Sequence, residues 1–347
     1  MNLEEIKSQL NNYDGPQINI MEVCGSHTAA IAKYGIKGLL SPKIKLISGP
    51  GCPVCVTPSA YVDRLIELSL NNTVVTFGDL MRVPGSTESL SMAKTRGAKV
   101  QMVYSPMDVL ELAKANPKEN YIFAAVGFET TAPVYTLLLD CIIRENLNNI
   151  KILTAIKTMP SVVESLINDP DSKIDAFLAP GHVAAVTGSK YFEPLAEKYS
   201  IPFGVGGFEP EELLIAVAGI VKQIQKNPNS VCNYYPSVVS EEGNSIAKEQ
   251  INKYFEEYDA VWRGIGPVKG SGLALKEEFS RYDAGSKELI EDNHNNACRC
   301  GEVLTGKISS KECPLFGKVC TPQEPKGACM VSFEGSCYQN FLNKSEV

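Results

Sequence analysis

Along the first 225 residues, short apolar runs alternate with segments of helical periodicity, and that alternation leaves few folds open. Lys43–Ser48, Thr73–Phe77, Lys99–Tyr104, Tyr121–Val126, Lys151–Ile156, Ala176–Ala179 and Pro202–Val205 read as short buried strands. Ser59–Leu70, Ser105–Ala115, Pro133–Glu145, Ser161–Ile167 and Glu211–Gln225 read as the helices between them. Strands separated by helices pair in parallel, and the helices cover both faces of the sheet. Asp108 and Glu211 stand near two helix starts, where a carboxylate suits the positive end of the dipole.

The pattern repeats at an offset of 102 to 104 residues. Thr28 falls on Thr131, Pro58 on Pro160 and Gly78 on Gly181; Val83-Pro-Gly-Ser86 falls on Val186-Thr-Gly-Ser189, and Pro106 on Pro210. The expected architecture is an N-terminal helix over 1–16 and two similar Rossmann-like α/β domains over 17–118 and 119–225. Their parallel sheets would face each other across a cleft. Open sheets of this kind bind ligands outside the carboxyl ends of their strands.

Composition narrows the function. With 44 % hydrophobic and 21 % charged residues the chain is an ordinary globular protein. Its net charge is −7 without a basic stripe, which argues against general binding to nucleic acid or anionic membranes. The most apolar stretch, Leu213–Val221, is too short to span a bilayer, and the N-terminus lacks the pattern of a secretory signal. A cytoplasmic protein, monomeric when free, is expected.

After Gln225 the alternation stops, and 226–347 reads as a mostly irregular or helical domain. Six of the eleven cysteines fall between Cys298 and Cys337. In a reducing compartment, such a cluster points to metal or redox chemistry before disulfides. Soft thiolates with His294 as the single local imidazole select iron–sulfur or zinc. A zinc ribbon prefers two close Cys-x-x-Cys pairs, and none occurs here. Iron–sulfur ligands tolerate irregular spacing, and a proline after a ligand cysteine, as in Cys313-Pro314, recurs in ferredoxins. The iron–sulfur reading is preferred to a zinc knuckle or disulfides.

Three further motifs lie between strands and helices. Ser48-Gly-Pro-Gly-Cys52-Pro-Val-Cys55 places a dithiol near a helix start, where the dipole is expected to lower thiol pKa values. Glu22-Val-Cys24-Gly-Ser-His27-Thr28 pairs a thiol with an imidazole, which suits a nucleophile or a soft-metal ligand. In Gly127-Phe-Glu129-Thr-Thr131, Glu129 is the functional candidate, placed to orient His27 or a metal-bound group, and the threonines suffice as caps. His182, in Pro180-Gly-His-Val, stands at a strand end of the other half. Cys141 reads as core, and Cys232 carries no motif. No Walker or Gly-x-Gly-x-x-Gly loop is present.

Together these motifs resemble the HypD family of nickel–iron hydrogenase maturation proteins. The resemblance continues through Arg263-Gly-Ile-Gly-Pro267, Ser271-Gly-Leu273, Cys313-Pro-Leu-Phe-Gly317, Cys320-Thr-Pro322 and Cys329-Met-Val-Ser332, over nearly the full chain. Ser26 stands where the family pattern has threonine. The resemblance implies two related α/β domains and a C-terminal domain with a [4Fe-4S] cluster. The family's ligand spacing of 12, 6 and 16 residues falls on Cys300, Cys313, Cys320 and Cys337. Cys298 and Cys329 are then an accessory thiol pair, similar to ferredoxin–thioredoxin reductase. The resemblance also implies a complex with a small HypC-type chaperone, and cyanide delivered by a HypE-type partner. The cargo is iron carrying two cyanides and one carbon monoxide. Cys24 would be its ligand, His27 a tuning neighbour, and Cys52 with Cys55 the redox-active pair. A cluster-dependent thiol–disulfide oxidoreductase without exogenous iron is the alternative.

Overall fold

The structure, a computed structural model, describes residues 2–289, 291–292 and 297–343; His294 lies outside them. The strands are β1 (Ile18–Glu22), β2 (Ile44–Ser48), β3 (Thr73–Thr76), β4 (Val100–Met102), β5 (Tyr121–Gly127) and β6 (Ile150–Lys157). They continue with β7 (Ala176–Pro180), β8 (Phe203–Gly206), β9 (Val231–Asn233), β10 (Phe255–Trp262) and β11 (Gly266–Leu275). Every apolar run read as a strand is one. β5 and β7 are buried at every residue, as parallel strands covered on both faces must be.

The strands form two sheets, ordered β2-β1-β7-β8-β9 and β10-β11-β6-β5-β3-β4. The first is parallel throughout, and the second is parallel except for the β10–β11 hairpin. The expected division at 118/119 does not separate them. β1 and β2 pair with β7 and β8 from the second half, while β3 and β4 pair with β5 and β6. The repeat survives in another form. β5, β6, β7 and β8 start 103, 106, 103 and 103 residues after β1, β2, β3 and β4. Exchanging each strand for its repeat turns β2-β1-β7-β8 into β6-β5-β3-β4, which is the order in the other sheet. Each repeat thus gives its first strand pair to one sheet and its second pair to the other. Apolar periodicity cannot show this, because a strand buried on both faces carries no mark of which neighbour it will pair with.

The C-terminal expectation also needs correction. Residues 231–233 add a strand to the first sheet, and 255–275 add a hairpin to the second, so the irregular segment starts well after 226. Gly264 and Gly266 take positive φ values of 71° and 95° at the hairpin turn, which glycine adopts without strain. Phe128 after β5 and Met159 after β6 share one core with Val23, Cys52 and Ala179 of the first sheet, and with Cys300 and Cys329. The carboxyl ends of both sheets therefore meet on the cysteine-rich segment. Among the described residues, no helix is long and apolar enough to cross a membrane.

Candidate functional site

β1 and β2 are parallel neighbours with Glu22 opposite Ser48, so the Cys24 and Cys52 loops leave the sheet side by side. Their backbones interlock. Gly25 N–H donates to the Gly51 carbonyl at 2.8 Å, and Gly49 N–H donates to the Glu22 carbonyl at 2.8 Å. A Cβ on Gly51 would stand 2.1 Å from the Cys24 nitrogen and 2.4 Å from its Cα, so this approach requires glycine.

Cys24 is the N-cap of the helix Gly25–Lys33 and is 7 % exposed. Burial pushes its thiol up to about 12; the His27 and Ser26 amides oppose the rise, and the Glu334 and Glu22 carboxyls add to it. The resting thiol is therefore protonated, and a metal must displace that proton to bind. Glu22, buried below the loop, accepts the Cys24 N–H at 3.1 Å and the Thr28 hydroxyl. Burial pushes its carboxyl up to about 7. Glu334 comes from the cysteine-rich segment and accepts the Ser26 hydroxyl at 2.8 Å.

His27 is buried, and burial pulls its imidazole down to about 4. Its Nε2 lies 3.0 Å from the Gly207 carbonyl and 3.3 Å from that of Gly206. Carbonyls only accept, so Nε2 carries the proton and Nδ1 keeps its lone pair. Nδ1 has no hydrogen-bond partner among the described residues. Phe208 packs against His27 at 4.7 Å and against His182 at 3.9 Å, bringing the two histidines to one ring.

Glu129 does not orient His27. It is 3 % exposed, and its Oε1 accepts Met159 N–H at 2.7 Å and the Tyr191 hydroxyl at 3.1 Å. The carboxylate thus caps the helix Met159–Ile167, whose first amides are free to donate. Burial pushes it up to about 7.

Cys52 is the N-cap of the four-residue helix Pro53–Val56; its sulfur accepts Cys55 N–H at 3.3 Å and stands 2.6 Å from the Cys55 sulfur. The lowered pKa expected at this helix start is not found for Cys55. Burial pushes that thiol well above its ordinary range, and the neighbouring Cys329 and Cys52 thiols add to the rise. One turn of helix has too small a dipole to offset complete burial.

Cys329 connects this loop to the cysteine-rich segment. It shares a buried core with Cys55 and also lines a small pocket with Cys298, Cys300, Cys313, Cys320 and Cys337. Val303, Phe316 and Met330 complete the wall. None of the six is in a disulfide. Among the described residues no three His, Cys, Asp or Glu side chains converge on a single ion. A cluster of several irons asks instead for a wider ring of thiols in an apolar wall, and this donor set fits one. The Cys300 sulfur lies 3.4 Å from the Cβ position of Gly264.

Sequence reasoning had not singled out Glu22, Glu334 or Phe208. The two glutamates stand within three residues of a cysteine, in Glu22-Val-Cys24 and Glu334-Gly-Ser-Cys337, which is a usable signal. Phe208 carried none.

The family model described as "Hydrogenase formation hypA family", HypD, matches residues 2–343. The hydrogenase maturation factor HypD of Escherichia coli is 42 % identical over 99 % of this chain and 95 % of its own. That of Rhodobacter capsulatus is 42 % identical over 92 % and 88 %. A putative hydrogenase expression/formation protein of Methanocaldococcus jannaschii is 42 % identical over 92 % and 90 %. Such identity over nearly the whole length leaves one conclusion: the chain belongs to the HypD family of hydrogenase maturation factors.

Proposed function

We propose that this protein is a maturation scaffold for nickel–iron hydrogenases, holding iron at Cys24 while two cyanides and one carbon monoxide are attached. A small HypC-type chaperone completes the iron site, and a HypE-type partner donates cyanide. The observation that carries the reading is the continuity of thiols, from the six-cysteine pocket through Cys329 to Cys55 and Cys52, whose loop interlocks with that of Cys24.

Cyanide and carbon monoxide need electron-rich iron, for which a thiolate is a fitting soft ligand. Cys24 binds by releasing its proton, and the Ser26 and His27 amides stabilise the thiolate that results. Glu22 and Glu334 add negative charge that favours a cation at this sulfur. His27 stays neutral at physiological pH and offers Nδ1 as an acceptor or ligand. One thiolate and one imidazole leave positions for the diatomic ligands and for a partner's thiolate.

A disulfide between Cys298 and Cys329 would accept the two electrons of the Cys52–Cys55 dithiol. The Cys55 thiolate attacks Cys329, and Cys298 leaves as thiolate. Cys52 then displaces Cys329 to close the Cys52–Cys55 disulfide, with the protons passing to the two released thiols. The raised pKa of Cys55 keeps the dithiol idle until its proton is removed. When bound, a [4Fe-4S] cluster supplies single electrons. Family spacing assigns it to Cys300, Cys313, Cys320 and Cys337, with Cys298 and Cys329 as the accessory pair.

Infrared spectroscopy of the protein co-purified with its HypC-type partner tests the scaffold role. Cyanide and carbonyl bands are expected. A complex that holds the cluster and reduces disulfides but shows no such bands would favour a thiol–disulfide oxidoreductase instead.

A further inference from the structure

Arg263 is 1 % exposed and is among the largest buried side chains of the protein. Its Nε donates to the Thr57 carbonyl at 2.7 Å and its Nη2 to the Pro84 carbonyl at 2.7 Å. Neither of these partners is a carboxylate. Backbone carbonyls satisfy the guanidinium's donors but carry no net charge. The Asp292 carboxylate stands one residue on, accepting Gly264 N–H at 2.8 Å, and a buried cation favours negative charge nearby.

The surroundings place the cysteine pocket on the other side of Arg263. On one side Arg263 N–H donates to the Val56 carbonyl at 2.8 Å, and Thr57 is the C-cap of the short helix that carries Cys55. On the other side the next residue, Gly264, packs backbone to backbone on Gly301. A Cβ on Gly301 would lie 2.0 Å from the Gly264 oxygen. Arg263 is therefore wedged between the dithiol helix and the first cysteines of the pocket; a Cβ on Gly264 would lie 3.4 Å from the Cys300 sulfur.

We propose that Arg263 is a positioning residue that supplies the buried positive counter-charge of a thiolate-bound cluster in the cysteine pocket, and thereby raises the cluster's reduction potential. This rests on the reading that the pocket holds a cluster. Four thiolates give a [4Fe-4S] cluster a net negative charge, and one-electron reduction adds another. A fixed cation nearby stabilises the reduced form more than the oxidised one, most strongly where water is excluded. The guanidinium suits this role because its charge does not depend on pH and its planar fork is held by two carbonyls.

The test is an anaerobic dithionite titration of the full-length protein, following cluster absorption and the electron paramagnetic resonance of the reduced form. Iron and sulfide are measured first. R263Q is expected to hold a complete cluster whose one-electron reduction is at least tenfold less favourable, a potential lower by about 59 mV. R263K, which keeps the charge, should recover at least half of that shift. A folded R263Q with a full cluster and an unchanged potential would overturn the proposal, as would R263K falling as far as R263Q. If R263Q does not fold, R263M replaces it; failure of both neutral variants to fold would make Arg263 a scaffold residue and also overturn the proposal. Wild-type protein without iron and sulfide would instead remove the cluster reading itself, before any titration.

Discussion

Cys55, on the loop after β2, and Cys329, deep in the cysteine-rich segment, are buried thiols packed into one core. Through this contact the pocket of six cysteines and the loop interlocked with Cys24 become a single structure. Removing either thiol tests whether the contact matters, and the surrounding geometry makes sharper forecasts.

Cys24→Ser should leave the fold and the cluster unchanged, because Cys24 does not line the cysteine pocket. It should eliminate the additional iron and its cyanide and carbonyl bands in the partner complex. Iron content and infrared spectra check this together. Full-strength bands in the variant would move the iron to another residue, with Cys52 and Cys55 the next candidates.

Gly51→Ala should destabilise the protein by ~1–3 kcal/mol, the usual cost of forcing a methyl group into filled space. The new Cβ would collide with Cys24 backbone rather than with a yielding side chain, so the two loops must part. Iron retention is expected to fall with stability. Urea unfolding and metal analysis measure the two losses separately.

Cys298 and Cys300 both line the cysteine pocket. With the ligand set implied by family spacing, Cys300→Ala loses the visible absorption and Cys298→Ala keeps it. The reverse outcome would put Cys298 in the set and leave Cys300 beside Cys329.

Glu129→Gln should raise stability at pH 8 and change it little at pH 4. Burial lifts the native carboxyl from its ordinary value to about 7. Between the unfolded and native values the folded state binds the extra proton, so stability falls as pH rises through roughly 4.5 to 7. The loss above that window is on the order of a few kcal/mol for a group this buried. Glutamine keeps an acceptor for Met159 N–H and the Tyr191 hydroxyl without the ionisation. Glu22, lifted in the same direction, contributes a parallel slope that the substitution leaves in place. Thermal unfolding at several pH values would show wild type and variant diverging as pH rises through the window and staying apart above it; parallel curves would refute the assignment.

What the sequence determined by itself is the local part. Apolar runs located the strands of the alternating region, and Gly-rich punctuation located the loops at their carboxyl ends, because both depend on near neighbours in the chain. The cysteine spacings identified the two thiol groups and the likeness to HypD. Tertiary structure alone decided how these parts combine. It set the exchange of strand pairs between the sheets, because strands buried on both faces are interchangeable by pattern. It turned Glu129 from a partner of His27 into a helix cap and raised the Cys55 pKa that a helix start was expected to lower, because burial depends on the whole fold. It also packed Cys55 with Cys329 and placed Arg263 between the Cys55 helix and the first cysteines of the pocket, contacts between residues far apart in the chain that no local spacing encodes.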